Sequence, residues 1–297
     1  MDASWRAPRV VLYWAPPMPV WSRRKLAWLV PIGLALAAAP PLEMSLERRL
    51  IYFPDRILAD TPAQDHLGYE DVWATTSDGI RVHGWAMPPA GRDAAWLLYS
   101  HGNGGNVSLR PAGVAPLVHR GLGVLLYDYR GYGRSEGRPS EQGTYADGEA
   151  MLAEAIRRAG DARRVVLYGE SLGGGVSYEL ARRHPELCGL ITISTFTSIP
   201  DMVRVLYPIP GLSWLVRTRY DNLAKARDIR VPRLVIHGTD DELVPFRMGE
   251  ALRDATSPPA EFLAIRGAHH NDTFSTGGDE YYDAVQRFVG NCLVSRR

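Results

Sequence analysis

The chain has 297 residues, 45% of them hydrophobic and 23% charged, with a formal net charge of +1. That is enough apolar material for a large core in one or two domains, and the charge balance excludes a polyanion-binding role written into composition. Two cysteines, Cys188 and Cys292, fit neither a zinc site nor a redox motif, and base rates read them as unpaired apolar fillers.

Residues 1–45 read as a separate segment. Arg23, Arg24 and Lys25 precede an uncharged run, Leu26–Leu42, of seventeen residues. That length lies at the lower edge of what crosses a bilayer, so the run is expected to anchor the chain. Ala37-Ala38-Ala39 also suits the end of a cleaved signal, which stays open as the alternative. Pro31, Pro40 and Pro41 speak against a buried core helix. Basic residues ahead of the run place the N-terminus inside and the rest of the chain outside the cytoplasm.

Residues 46–297 read as one domain. Asp71–Thr76 and Ile80–Met87, joined through Asp-Gly, predict a β-hairpin. Strands follow at Ala95–Gly102, Gly123–Tyr129, Arg163–Gly169, Cys188–Ser194, Pro232–Gly238 and Glu261–Ile265, several apolar throughout, as strands covered on both faces are. Helical spacing fills the gaps, near Val107–Arg120, Thr144–Ala159, Leu172–His184, Pro245–Ala255 and Asp279–Val289. Such alternation predicts an α/β fold: a doubly wound, mostly parallel sheet with helices on both faces and an antiparallel N-terminal edge. Residues 195–230 form an oversized, apolar connection, expected to make a small cap over the sheet's carboxyl edge.

Ligand sites in such sheets gather beyond the strands' carboxyl ends. There Gly169-Glu170-Ser171-Leu172-Gly173 fits G-x-S-x-G between a strand and a helix, a tight elbow that lifts a serine hydroxyl out of the sheet. A serine needs a base to take its proton and an acid to orient that base. An acid cluster, Asp240, Asp241 and Glu242, follows one later strand, and the pair His269-His270 follows the next. The order Ser, acid, His suits this fold, although the sequence alone leaves the choice within each cluster open. Oxyanion donors are expected from the backbone N–H of Leu172 and, in the Ser100–Asn106 loop, of Asn103. His101 is expected to brace that loop, and Asp128 and Arg130 to pair with each other. No cofactor or metal is called for: His-x-x-x-His and phosphate-loop patterns are both missing from the chain.

Joined motifs carry a resemblance. "LIYFPDR" (Leu50–Arg56), "HGNGGN" (His101–Asn106), "YDYRGYGRSEGRPSEQG" (Tyr127–Gly143), "YGESLGGGVS" (Tyr168–Ser177), "HGTDDELVP" (His237–Pro245) and "HNDT" (His270–Thr273) resemble the α/β-hydrolase superfamily. More narrowly they resemble its membrane-tethered group, which includes eukaryotic depalmitoylases and bacterial relatives. The resemblance implies Ser171 as nucleophile, His270 as base and Asp241 as acid, acting on carboxylic esters or thioesters. Lipophilic acyl substrates, a membrane contact through the N-terminal segment and no nucleic-acid partner are the matching expectations. A peptidase or amidase on the same scaffold, or a non-catalytic ligand-binding protein, are the rivals. The eukaryotic depalmitoylases anchor through N-terminal cysteines, whereas this chain has none before Cys188.

Overall fold

The computed structural model describes residues 47–91, 93–255 and 260–295. The N-terminal run at 26–42 lies outside them, and among the described residues no helix is long and apolar enough to cross a membrane.

The strands are β1 (Phe53–Pro54), β2 (Glu70–Thr75), β3 (Arg81–Met87), β4 (Trp96–Ser100), β5 (Gly104–Gly105), β6 (Gly123–Tyr127), β7 (Val165–Glu170), β8 (Gly189–Ile193), β9 (Arg233–Gly238) and β10 (Glu261–Ile265). Eight make one sheet in the order β10-β9-β8-β7-β4-β6-β3-β2. It is parallel from β10 to β6, and the expected hairpin, β2 with β3, closes it as an antiparallel edge. The hairpin turn holds because Thr76 N–H donates to the Ile80 carbonyl at 2.9 Å, and Gly79 takes the positive φ of 82° that the turn requires.

Alternate strand residues point to opposite faces, and each face buries its own core. Leu98, Leu125, Leu167 and Val235 pack under α2 (Glu141–Ala159), α3 (Leu172–Arg183) and α7 (Phe246–Asp254). Leu97, Val124, Val166 and Ile236 pack under α1 (Pro111–His119) and α8 (Thr273–Ser295). The predicted helix over Val107–Arg120 divides in two. A 3₁₀ turn covers Val107–Leu109, and Pro111, whose missing N–H costs nothing in a first turn, opens α1. The last helix begins at Thr273, earlier than expected, and bends at Gly278.

The connection from β8 to β9 contains three short helices, α4 (Ile199–Leu206), α5 (Leu212–Leu215) and α6 (Asn222–Ala226). Ser198 caps α4 by accepting from Asp201 N–H at 3.1 Å. Two carboxylates pin the insertion from outside it. Glu141, at the start of α2, accepts from Arg219 N–H (2.7 Å) and Tyr220 N–H (2.8 Å). Glu47 accepts from Arg217 N–H (2.8 Å) and Thr218 N–H (3.1 Å).

The cysteine reading is corrected. Cys188, just before β8, and Cys292, in the last turn of α8, form a disulfide with Cα atoms 5.6 Å apart. Their separation of 104 residues gives no local spacing signal, and only the packing of α8 on the sheet brings them together.

Candidate active site

β7 ends at Glu170 and α3 begins at Leu172, so the backbone reverses on a single residue, Ser171. Its φ of 50° and ψ of −112° are a conformation that L-residues rarely adopt, held by the packing around it. The flanking glycines explain how the turn closes. A Cβ on Gly169 would stand 2.7 Å from the Gly173 carbonyl oxygen, and one on Gly173 only 1.9 Å from the Ser100 carbonyl oxygen. The Ser171 N–H is tied to the Ile193 carbonyl at 2.8 Å. The side chain is thereby fixed above the sheet's carboxyl edge, at the first turn of α3, whose free N–H groups favour negative charge.

The loops after β9 and β10 bring two further groups to that edge. His270 Nε2 lies 3.1 Å from Ser171 Oγ, and its Nδ1 lies 2.9 and 3.1 Å from the two carboxylate oxygens of Asp241. All three side chains are largely buried. Asp241 is oriented by its own turn: Oδ1 accepts from the N–H groups of Leu243 (2.9 Å) and Val244 (2.7 Å). His237 Nε2 approaches Oδ2 at 3.3 Å. Burial alone would raise the Asp241 pKa, but the hydrogen bonds from His237, His270 and Val244 and the charge of His270 outweigh it. Its carboxyl is held well below the usual carboxylate range.

The neighbouring candidates go elsewhere. Asp240 is exposed and accepts from Thr239 Oγ1 at 2.9 Å. His269 points outward to Glu242, with Nδ1 and Oε2 3.1 Å apart, and that bond raises its pKa. Of the two histidines it is His270 that meets Ser171, and of the two aspartates it is Asp241 that meets His270.

The proposed oxyanion loop is strapped down by the chain's own N-terminal side. β1 pairs in parallel with β5. Asn103 is held at three points: Nδ2 donates to the Ile51 carbonyl (2.9 Å), and its carbonyl accepts from Phe53 N–H (3.1 Å) and Tyr132 Oη (2.9 Å). These bonds use the side-chain amide and the carbonyl; among the described residues the Asn103 backbone N–H is not engaged in one. Sequence reading missed this strap, because two-residue strands have no periodicity. The motif "LIYFPDR" was its only trace.

Around this centre lies a buried polar frame. Glu170, the variable residue of the elbow, accepts from Tyr99 Oη and lies 3.5 Å from Arg110 Nε. Burial pushes its carboxyl up, while the charge of Arg110 and the Tyr99 hydroxyl bring it below its ordinary value. Arg110 Nη2 in turn donates to the Gly104 carbonyl at 3.1 Å, linking the elbow to the oxyanion loop. His101 is fully buried, with Nε2 3.4 Å from Asp128 Oδ1, which itself accepts from Val107 N–H. It braces the loop and does not reach Ser171. The expected Asp128–Arg130 pair is not formed. Arg130 instead bonds Asp147 of α2 (Nε, 2.9 Å) and Asp78 of the hairpin turn (Nη1, 2.7 Å). These longer-range carboxylates match the planar guanidinium better than a residue two positions away. Among the described residues no three His, Cys, Asp or Glu side chains converge as a metal site.

Comparison with known proteins bears on this geometry. Residues 91–224 match the family described as serine aminopeptidase, S33. A protein of Mycobacterium tuberculosis is 34% identical over 273 residues, 91% of this chain and 97% of its own. The α/β-hydrolase domain-containing protein WAV2 of Arabidopsis thaliana is 33% identical, over 89% of this chain and 94% of its own. This chain belongs to the α/β-hydrolase family. The esterase Pf2001 of Pyrococcus furiosus superposes with a TM-score of 0.68 at 21% identity, covering 81% of this chain and 99% of the esterase. Ser171 sits at the turn between β7 and α3, and the loops after β9 and β10 carry Asp241 and His270.

Proposed function

We propose that this α/β-hydrolase is a serine hydrolase that cleaves carboxylic esters or thioesters of lipophilic acyl groups through Ser171, His270 and Asp241. One observation carries the reading: a continuous chain from Ser171 Oγ through both His270 nitrogens to Asp241, with the contacts at 3.1 and 2.9 Å.

In the mechanism, His270 Nε2 takes the Ser171 proton as Oγ attacks the acyl carbonyl carbon. The carbonyl electron pair moves onto oxygen, where the N–H groups of Leu172 and Asn103 receive it. Asp241, kept ionised by its hydrogen bonds, holds the imidazolium through Nδ1. His270 then passes the proton to the departing alkoxide or thiolate, leaving an acyl-serine. Water, deprotonated by His270, attacks that acyl group. The acid is released and Ser171 recovers its proton. Replacing Ser171 by Ala is expected to lower ester turnover by about 10⁴–10⁶. Near-normal hydrolysis by that variant would overturn the assignment.

A peptidase or amidase reading is favoured by the description of the matching family, serine aminopeptidase. Turnover of an acyl ester against its matched amide separates the two, and faster amide cleavage selects the second. A pure binding role would be selected by failure of a fluorophosphonate to label the protein.

We further infer that the chain belongs to the membrane-tethered group of the family, with Leu26–Leu42 as the anchor and the domain outside the cytoplasm. The basic cluster before that run and the Cys188–Cys292 disulfide, a bond that persists in oxidising compartments, support this placement. Protease accessibility of the domain in intact cells tests it; complete protection without permeabilisation contradicts it.

A further inference from the structure

Exposed large apolar side chains on a soluble surface are normally scattered singly. Here they cluster. Of the twelve among the described residues, five come from one stretch of the insertion: Leu206, Tyr207, Ile209, Trp214 and Leu215. Trp214 is 79% exposed, on a four-residue helix that Gly211 starts at a positive φ of 84°. Three more, Leu50, Phe53 and Ile57, lie on the N-terminal strap.

Hydrogen bonds join the two groups. Glu47 begins the strap and binds the N–H groups of Arg217 and Thr218, directly after the helix that carries Trp214. Phe53 and Pro54 pair with Gly104 and Gly105, beside Asn103 of the oxyanion loop. These bonds set the strap beside the flank of the insertion at one end and beside the loop that carries Asn103 at the other.

Chain length and charge identify what meets these apolar side chains. Only residues 43–46 separate the apolar run ending at Leu42 from Glu47. Fully extended, that connection reaches about 17 Å, so a bilayer-embedded run would keep Glu47 within that distance of the hydrocarbon boundary. Residues 195–230 hold six basic and three acidic residues, with Arg204, Arg217 and Arg219 near the apolar stretch. Aromatic and aliphatic side chains flanked by arginine suit the headgroup level of an anionic bilayer.

We propose that the Leu206–Leu215 stretch and the strap form a face that lies on the lipid bilayer, with Trp214 in the headgroup–acyl boundary, and that the site takes acyl esters delivered from the membrane. The inference rests on the reading of Leu26–Leu42 as an anchor. It adds a second membrane contact and the direction from which substrate arrives.

The test uses the full chain reconstituted in phosphatidylcholine–phosphatidylglycerol vesicles, with lipids brominated along the acyl chains as tryptophan quenchers. The expected result is quenching that falls in Trp214→Phe, the other tryptophans being unchanged. Paired substitutions Ile209→Asp and Leu215→Asp should lower hydrolysis of a long-chain ester embedded in the vesicles by about tenfold, while a soluble short-chain ester is turned over within about twofold of wild type. Vesicle flotation separates the failures. Protein that does not float overturns both the anchor and this inference. Protein that floats with quenching unaffected by Trp214→Phe overturns this inference alone. Two chains per nanodisc, with Trp214 shielded from bromine, would assign the face to a second copy and likewise overturn it. Wild-type protein that hydrolyses neither ester sinks the hydrolase reading, and the Trp214 quenching then decides the membrane face by itself.

Discussion

Replacing Gly173 by Ala should damage catalysis far more than folding. The added Cβ would meet three backbone atoms: the Ser100 oxygen at 1.9 Å, the Ser100 carbonyl carbon at 2.4 Å and the His101 oxygen at 2.7 Å. Carbon rarely approaches such atoms closer than about 3.4 Å, so the start of α3 and the end of β4 must separate by roughly 1.5 Å. None of the three atoms can swing aside, since all belong to the backbone of a central strand and its exit loop. Overpacking of this kind costs about 1–3 kcal/mol, a loss the folded domain should survive. The displacement falls on Ser171 and on the two proposed oxyanion donors, Leu172 and Asn103. A misplacement of about 1 Å at a reacting group costs about 10² in rate. Steady-state hydrolysis of a chromogenic ester should show a kcat fall of about 10²–10³, and urea unfolding a stability loss of about 2 kcal/mol. Gly290→Ala is the control, because a Cβ there meets nothing within 4 Å and α8 should be slightly stabilised. Gly173→Ala with wild-type kcat and stability would refute the claim that the elbow depends on this close approach.

Other expectations follow from single contacts. Asn103→Ala removes the bond to the Ile51 carbonyl, so kcat should fall about tenfold with KM little changed; an unchanged kcat would show that the strap does not position the loop. Glu179 in α3 is bonded by Arg182 and Arg183 at 2.7 Å and by Lys225 at 3.0 Å. Burial raises its pKa, but these cations bring it from the ordinary 4.5 down to about 2. The unfolded chain therefore binds more protons in that interval, and stability present above pH 4.5 is lost as pH falls towards 2. Glu179→Gln should remove up to about 3 kcal/mol of that pH dependence in urea titrations, and identical slopes for both proteins would contradict it. Removing the Cys188–Cys292 bond, which closes a separation of 104 residues, should lower stability by about 4–5 kcal/mol. Two alkylatable thiols in native protein kept under oxidising conditions would show the bond is not made.

Much of the framework was legible because its signals are local. Continuous apolar runs at Leu97–Tyr99 and Val165–Tyr168 report strands covered on both faces, and Gly-Glu-Ser-Leu-Gly reports a turn too tight for side chains. The doubly wound sheet followed from those. What stayed hidden depends on distant partners. Composition does not separate Asp240 from Asp241, and only the motif resemblance pointed to Asp241; the N–H groups of Leu243 and Val244 hold that carboxylate where it meets His270. The cysteine pair, the Arg130 bonds to Asp78 and Asp147, and the Glu47 and Glu141 clasps on the insertion all join residues far apart in the chain. The strap is too short to show a period, and its role appears only where Phe53 meets Asn103.

The Ser171 hydroxyl allows the most direct measurement. A fluorophosphonate should add a single phosphonyl group to the folded protein, peptide mapping should place it on Ser171, and labelling should be abolished in Ser171→Ala and slowed strongly in His270→Ala. Folded wild-type protein that resists the reagent, or an adduct mapped to a different side chain, would contradict the assignment of Ser171 as an activated nucleophile.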